Sequence, residues 1–276
     1  MNIVEYDRRL THAQLQTQMI GPSPGIWKHC PWAEFNMYGN GITFMDDFDR
    51  FLAATGGWAA AGTGAGTPVV INTVSAAAAS GVVDILTGAT DNNEIYLCGG
   101  NNLGGAFRIT AGKKLWFEAR VAPVAIVEQG LLVGLGIGGA SAAVPADTLA
   151  DNTGVCGDVA SFIGFRAGMH ASVMTVHGVY NTYTGAGSNE VTAVSGITVP
   201  VAGEWYKLGF YFDGRKCHWF ADGNEAAANG STHPVMSTAT VFPDGVNLTI
   251  ILGAKAGESV AKHLYADWVR VAMEKA

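Results

Sequence analysis

After residue 42 apolar and polar positions alternate with a period of two along much of the chain, the spacing of a strand with one buried face. Leu115, Phe117, Ala119 and Val121 fall on one side, and Trp116, Glu118 and Arg120 on the other. Residues 130–137 are apolar throughout, which predicts a strand buried on both faces. Residues 161–166 and 171–176 read as an antiparallel pair. Between 204 and 225, Tyr206, Leu208, Phe210 and Phe212 alternate with Trp205, Lys207, Gly209 and Tyr211. Asp213-Gly214 then predicts a two-residue hairpin turn, a strand follows over 216–221, and Asp222-Gly223 predicts a second turn. Over 264–273, Tyr265, Asp267, Val269 and Val271 are expected on one face, opposite Leu264, Ala266, Trp268 and Arg270. The body shows neither a long amphipathic helix nor an internal repeat, so the pattern predicts an all-β, antiparallel two-sheet sandwich.

The first 45 residues lack this period. Gly21-Pro22-Ser23-Pro24-Gly25 breaks regular structure, and Trp27, His29, Trp32, Phe35 and Tyr38 follow without a pattern. A short helix is expected over residues 11–19, capped by Thr11. The expectation is an irregular N-terminal arm over residues 1–45 that contacts another subunit or a lattice, followed by a sandwich domain over 46–276. Trp27, Trp32, Phe35 and Tyr38 would anchor that contact, because large aromatics dominate interface energetics.

Composition narrows the classes. The 276 residues are 49% hydrophobic and only 14% charged, enough to bury a sizeable core. The net charge of −7, without a run of basic residues, argues against nucleic acid and anionic membranes as partners. The first ten residues carry no signal-peptide pattern. Cys30, Cys98, Cys156 and Cys217 stand far apart, without paired metal spacing, and read as free thiols.

Three segments carry a resemblance. They are Ile42-Thr43-Phe44-Met45-Asp46-Asp47-Phe48, the strand Lys114-Leu115-Trp116-Phe117-Glu118-Ala119-Arg120, and the run from Glu204-Trp205-Tyr206 through Asp213-Gly214 to Trp219-Phe220-Ala221-Asp222-Gly223. Together, over residues 42–276, the chain resembles the concanavalin A-like (laminin G-like) jelly-roll domains, in the versions found in tailed-phage structural proteins. The resemblance implies a jelly-roll sandwich of two curved antiparallel sheets. It further implies a virion structural protein of the capsid-decoration type, without enzymatic activity. Its partner would be the major capsid protein or another virion lattice protein, reached in the host cytoplasm as a homo-oligomer, trimer or dimer. A carbohydrate-binding, lectin-like module is the alternative, with a glycan hydrolase behind it.

Candidate chemistry is sparse. The Glu-x-Asp-x-x-Glu arrangement of glycosidases on this sandwich is absent, so no catalytic residue is assigned. Glu118 and Arg120 share a face and are expected to pair. Asp46, Asp47 and Asp49, and the run Asp91-Asn92-Asn93, are read as turns rather than calcium loops. His170 and His177 fall on opposite faces of one strand, His218 stands apart, and no metal or cofactor is expected. Gly134-Leu135-Gly136-Ile137-Gly138-Gly139 has the wrong spacing for a dinucleotide loop. Asn229 and Asn247 match the glycosylation pattern by accident. If surface glycans bind, Trp116, Tyr211 and Trp219 are the stacking candidates, beside Trp205 and Trp268.

Overall fold

The computed structural model describes residues 21–49, 57–63, 67–69, 81–99, 105–137, 149, 161–168, 172–183, 190–226 and 241–275. The predicted helix over 11–19, Cys156, His170 and Asn229 lie outside these residues. Two short helices, α1 (Pro24–Trp27) and α2 (Trp32–Tyr38), precede the strands. The strands are β1 (Gly41–Asp46), β2 (Trp58–Thr63), β3 (Thr67–Val69), β4 (Val83–Leu86), β5 (Glu94–Gly99), β6 (Phe107–Arg108), β7 (Leu115–Pro123) and β8 (Gln129–Gly136). They continue as β9 (Phe162–Ala167), β10 (Val176–Asn181), β11 (Val191–Thr198), β12 (Tyr206–Phe212), β13 (Cys217–Ala221), β14 (Asn224–Glu225), β15 (Asn247–Ala256) and β16 (His263–Glu274).

These strands form two antiparallel sheets. The first runs β14-β13-β12-β7-β16-β4-β3, with β1 joining β4 along the far edge of β16. The second runs β11-β10-β9-β8-β15-β5-β2, with β6 on the end of β15. Leu115, Phe117, Ala119 and Val121 of β7 and Leu208, Phe210 and Phe212 of β12 meet the inner residues of β8, β9 and β15 in one core, while Tyr206, expected on the same face, stays half-buried outside it. Within it Phe117 stacks on Phe210 at 5.1 Å, and Trp219 meets Phe165 edge-on at 5.5 Å. The predicted sandwich is the observed one.

Local departures from the pattern have physical reasons. In β16 the register shifts between Ala266 and Trp268, a bulge that puts Leu264, Ala266, Val269, Val271 and Met273 into the core. Strict alternation had put Tyr265 on the face of Val269. Of the predicted pair at 161–166 and 171–176, the first strand is β9, and its partner β10 begins only at Val176. Asp213 and Lys216 close the first hairpin, so the turn centres on Gly214-Arg215, one residue later than predicted, with Gly214 at φ 97. The second turn is as predicted: Asp222 and Gly223 both have positive φ, at 49 and 78, between the paired Ala221 and Asn224. The expected boundary after residue 45 falls inside β1, and residues 24–38 of the expected irregular arm are mostly helical. Pro24 opens α1, and Gly39 closes α2 in the left-handed conformation, donating to the Phe35 carbonyl.

Candidate functional site

Residues on the outer face of the first sheet meet three different fates. Across the middle, α1 and α2 lie as a strap. Ile26, Trp27 and Phe35 pack with Trp116, Phe220 and Ala272 into a small second core outside the sandwich. Two glycines make the approach possible. A Cβ on Gly209 would meet Ile26 Cδ1 at 2.5 Å, and one on Gly41 would enter the Phe35 ring. Beneath the strap Glu118 is fully buried and accepts from Ser23 N–H at 2.9 Å and from Trp27 Nε1–H at 2.7 Å. Burial pushes its carboxyl above the usual range, against the pull of those two donors and the Lys207 charge. The expected Glu118–Arg120 pair is therefore not formed, and Arg120 bonds Asp267 at 2.5 Å instead. The Arg270 guanidinium lies 3.7 Å from the Trp32 ring centroid and 4.4 Å from that of Trp27.

This placement corrects two sets of expected site residues. Trp27 and Phe35 are buried against the chain's own sheet, and Trp32 packs beside them, so none of these three presents a free ring to a lattice. Tyr38 differs, at 68% exposure, next to Met37 at 72%. Of the stacking candidates, Trp116 is sealed under the strap and Trp219 points into the sandwich core, both at 0% exposure. Neither offers a face to a glycan. Alternation places a residue on the outer side of a sheet, and what lies over that side is set by residues far away in sequence.

Tyr211 remains. It stacks on Trp116 at 5.4 Å and 23° on one side and on His218 at 5.9 Å and 25° on the other, half-buried at the rim of the strap. His218 carries a carboxylate at each ring nitrogen, Glu225 at 2.7 Å from Nδ1 and Asp213 at 3.7 Å from Nε2. The hairpin turn shapes this corner, because Asp213 Oδ1 accepts the Arg215 and Lys216 amides at 2.7 Å each. Burial raises the Asp213 carboxyl, but those amides and His218 outweigh it and hold it below the usual range. The result is an aromatic platform of three stacked rings, Trp116, Tyr211 and His218, with both Tyr211 faces already taken and hydrogen-bond acceptors at its His218 end.

At the other end of the same face, Asp84 on β4 and His263 on β16 meet, 179 residues apart in sequence, with both Asp84 oxygens 3.0 Å from Nδ1. Tyr265 sits opposite Asp84 in the ladder, its ring 6.2 Å from that of His263. Asp267, Arg120 and Trp205 continue the polar strip, the guanidinium lying 4.6 Å from the Trp205 ring centroid.

The outer face of the second sheet is covered around β5 and β15. Lys255 and Glu94 form a fully buried ion pair at 3.3 Å. The lysine also donates to the Leu149 carbonyl at 2.6 Å, and Tyr96 hydroxyl bridges Glu94 and the Leu149 amide. Farther along, Arg166 grips Glu190 through Nε and Nη2 at 2.6–2.9 Å beside His177. These pairings fasten Leu149 and the 190 region to the sheet. Cys30, Cys98 and Cys217 are free thiols, and burial pushes Cys30 up to about 12. Asp46, from the acidic cluster, accepts from Trp58 Nε1 at 2.6 Å and from the Phe48 amide at 2.7 Å, closing the end of the core. Among the described residues no group of three His, Cys, Asp or Glu could hold a metal ion.

No family model matches the chain, and no curated protein does. Solved structures do. An endo-β-1,4-glucuronan lyase from the fungus Trichoderma reesei aligns with a TM-score of 0.52 at 13% identity, over 83% of this chain and 94% of that one. The catalytic domain of an endo-1,3-β-glucanase (laminarinase) from Thermotoga petrophila aligns at 0.45 and 13% identity, over 84% and 97%. Peanut lectin aligns at 0.47 and 11%, over 84% and 97%. The expectation of a chain without catalysis is corrected by the first of these. The sandwich it shares is, in the Trichoderma protein, that of a lyase, so the missing glycosidase carboxylates do not make the chain non-enzymatic. At this identity the likeness is one of fold, and the fold is the concanavalin A-like jelly-roll sandwich.

Proposed function

We propose that the chain is a glycan-binding protein whose ligand rests on the rim of the first sheet's outer face. The observation that carries this is the Tyr211–His218 stack with carboxylates at both imidazole nitrogens. A pyranose ring has apolar C–H faces and a belt of hydroxyls. The His218 end of the stack, backed by Tyr211, takes the first, and fixed acceptors such as Asp213 and Glu225 take the second. The Trichoderma glucuronan lyase on the same sandwich supports the reading as analogy. Titration calorimetry of the chain against a panel of neutral and acidic oligosaccharides tests it. Binding by at least one glycan, lost in Tyr211→Ala, is expected; a flat response across the panel overturns it.

A second reading, a subunit of a virion lattice, has the exposed apolar side chains of Met37, Tyr38 and Met45 in its support. Stoichiometric co-sedimentation with particles, lost on Tyr38→Asp, is the outcome it requires.

A further inference from the structure

We propose that Asp84, His263 and Tyr265 form a proton-transfer centre that cleaves a uronate-containing glycan by β-elimination. The inference rests on the glycan reading above but uses a different part of the face. The geometry begins with the dyad. Both Asp84 oxygens lie 3.0 Å from His263 Nδ1, and the side chains are 9% and 34% exposed. A carboxylate accepts and cannot donate, so the imidazole proton belongs on Nδ1 and the lone pair on Nε2. Among the described residues no group bonds Nε2, and a third of the His263 side chain is open to solvent. The backbone of His263 is pinned, its carbonyl accepting from Gln129 Nε2 at 2.9 Å and from the Val124 amide at 3.1 Å. The ring is thus held by its Asp84 side and presents its basic nitrogen outward.

Tyr265 supplies the partner group. It faces Asp84 across the β4–β16 ladder. Burial first, and the Asp84 charge second, raise its hydroxyl above the usual phenol range, so it keeps its proton at neutral pH. A lone-pair base and a proton-holding hydroxyl, on rings 6.2 Å apart, are the pair that elimination needs. Glycoside hydrolysis would instead need two carboxyls flanking the bond. Asp84 has both oxygens committed to Nδ1 and cannot serve as one of them.

In the step, His263 Nε2 takes the proton from C5, the carbon bearing the uronate carboxyl. That electron pair becomes the C4=C5 bond, the C4–O bond breaks, and the Tyr265 proton passes to the leaving oxygen. Imidazolium and phenolate then reset by proton exchange with water. Atoms and charge balance without an oxidant, a reductant or a metal. The abstraction needs a carboxylate or ester on the sugar to make C5 acidic, which is why the substrate class is a polyuronate. Arg120, one row along the face from Ala122, the cross-strand neighbour of Tyr265, has N–H groups beyond the one given to Asp267 and would sit toward that carboxylate.

The test incubates the whole chain with polyglucuronate, pectate and alginate. It reads ultraviolet absorption of the conjugated C4=C5 bond and the mass of the new chain ends. Cleavage to unsaturated ends by the wild type is expected on at least one polymer. His263→Gln and Tyr265→Phe, each with an unchanged melting temperature, should lose about 100-fold or more in rate. Asp84 acts through His263 as a positioning residue, so Asp84→Asn should lose rate and Asp84→Glu should recover part of it. Saturated ends, no cleavage of any polymer, or variants as fast as the wild type would each overturn the proposal. Calorimetry on the same samples separates the two readings: glycan bound but uncut rejects this centre alone, and no glycan bound rejects the platform.

Discussion

Trp116 and Tyr211 are cross-strand partners, stacked at 5.4 Å on the same outer face, yet one is sealed at 0% exposure and the other is half open. The difference is made by α2, which lays Phe35 against Trp116, while Tyr211 packs only at the margin of that cluster and stays half-buried. An outward position in a sheet thus means two things in one molecule. Under the strap it is a second core, where size and shape decide stability. Beyond the strap it is a surface, where the same chemistry is available to a ligand.

Removing each ring should separate the two roles most sharply. Trp116→Ala should cost about 3–5 kcal/mol, as large buried aromatics do, and Tyr211→Ala about 1 kcal/mol, the scale of a lost aromatic pair. Urea denaturation of both variants checks it. Equal losses would mean the strap does not cover Trp116 in solution.

Lifting the strap without touching its aromatics is a finer probe. Gly209→Val puts methyl groups where Ile26 Cδ1 lies, and overpacking of this kind costs about 1–3 kcal/mol. Cys30 sits between α1 and α2, with its thiol raised to about 12 by burial. Its reaction with a maleimide at neutral pH should be slow in the wild type and faster in Gly209→Val. Unchanged labelling together with unchanged stability would show that Ile26 does not rest on Gly209.

Glu118 gives the covered region a pH signature opposite in sign to that of Asp213 at the open rim. Its carboxyl titrates higher in the folded chain than in the unfolded one, because burial disfavours the charge. Between those two values the folded state holds the extra proton, so stability falls as pH rises from the ordinary Glu value of about 4.3. Glu118→Gln removes that dependence. The variant should therefore gain on the wild type as pH climbs through this window, and level off above it. A difference that stays flat from pH 4 to pH 7 would mean the carboxylate is not desolvated by the strap.

The same contrast explains what the sequence made legible. The core faces of β7, β12 and β13 were readable because strand alternation is local, and a buried face must be apolar over its whole length. The Asp222-Gly223 turn was readable for a similar reason: two adjacent residues carry the whole requirement for positive φ. The bulge at Ala266–Trp268 was hidden, since its extra residue, Asp267, sits in the run without a glycine or other local signal to mark it. Trp116 and Trp219 both read as possible stacking rings, because a tryptophan reads the same under a strap, inside a sandwich or in water. Asp84 and His263 gave no signal at all. They lie 179 residues apart, and only the antiparallel pairing of β4 with β16 brings them together.

The smallest structural change should carry the clearest functional one. Tyr211 keeps Trp116 behind it whatever glycan arrives, so Tyr211→Phe retains the stack and loses only the hydroxyl, which should leave stability within about 0.5 kcal/mol of the wild type. Binding at the end of the ring stack should then survive in Tyr211→Phe and fall by at least about tenfold, or 1.4 kcal/mol, in Tyr211→Ala, which removes the ring behind His218. His218→Ala removes the second ring of the platform and frees both carboxylates from the imidazole, so it should weaken binding as well. Calorimetry at matched protein stability compares the three. If Tyr211→Phe binds as poorly as Tyr211→Ala, the hydroxyl rather than the ring stack makes the contact. The open rim would then act as a polar site with an aromatic neighbour, and its contrast with the covered core would lie in hydrogen bonding rather than in exposure.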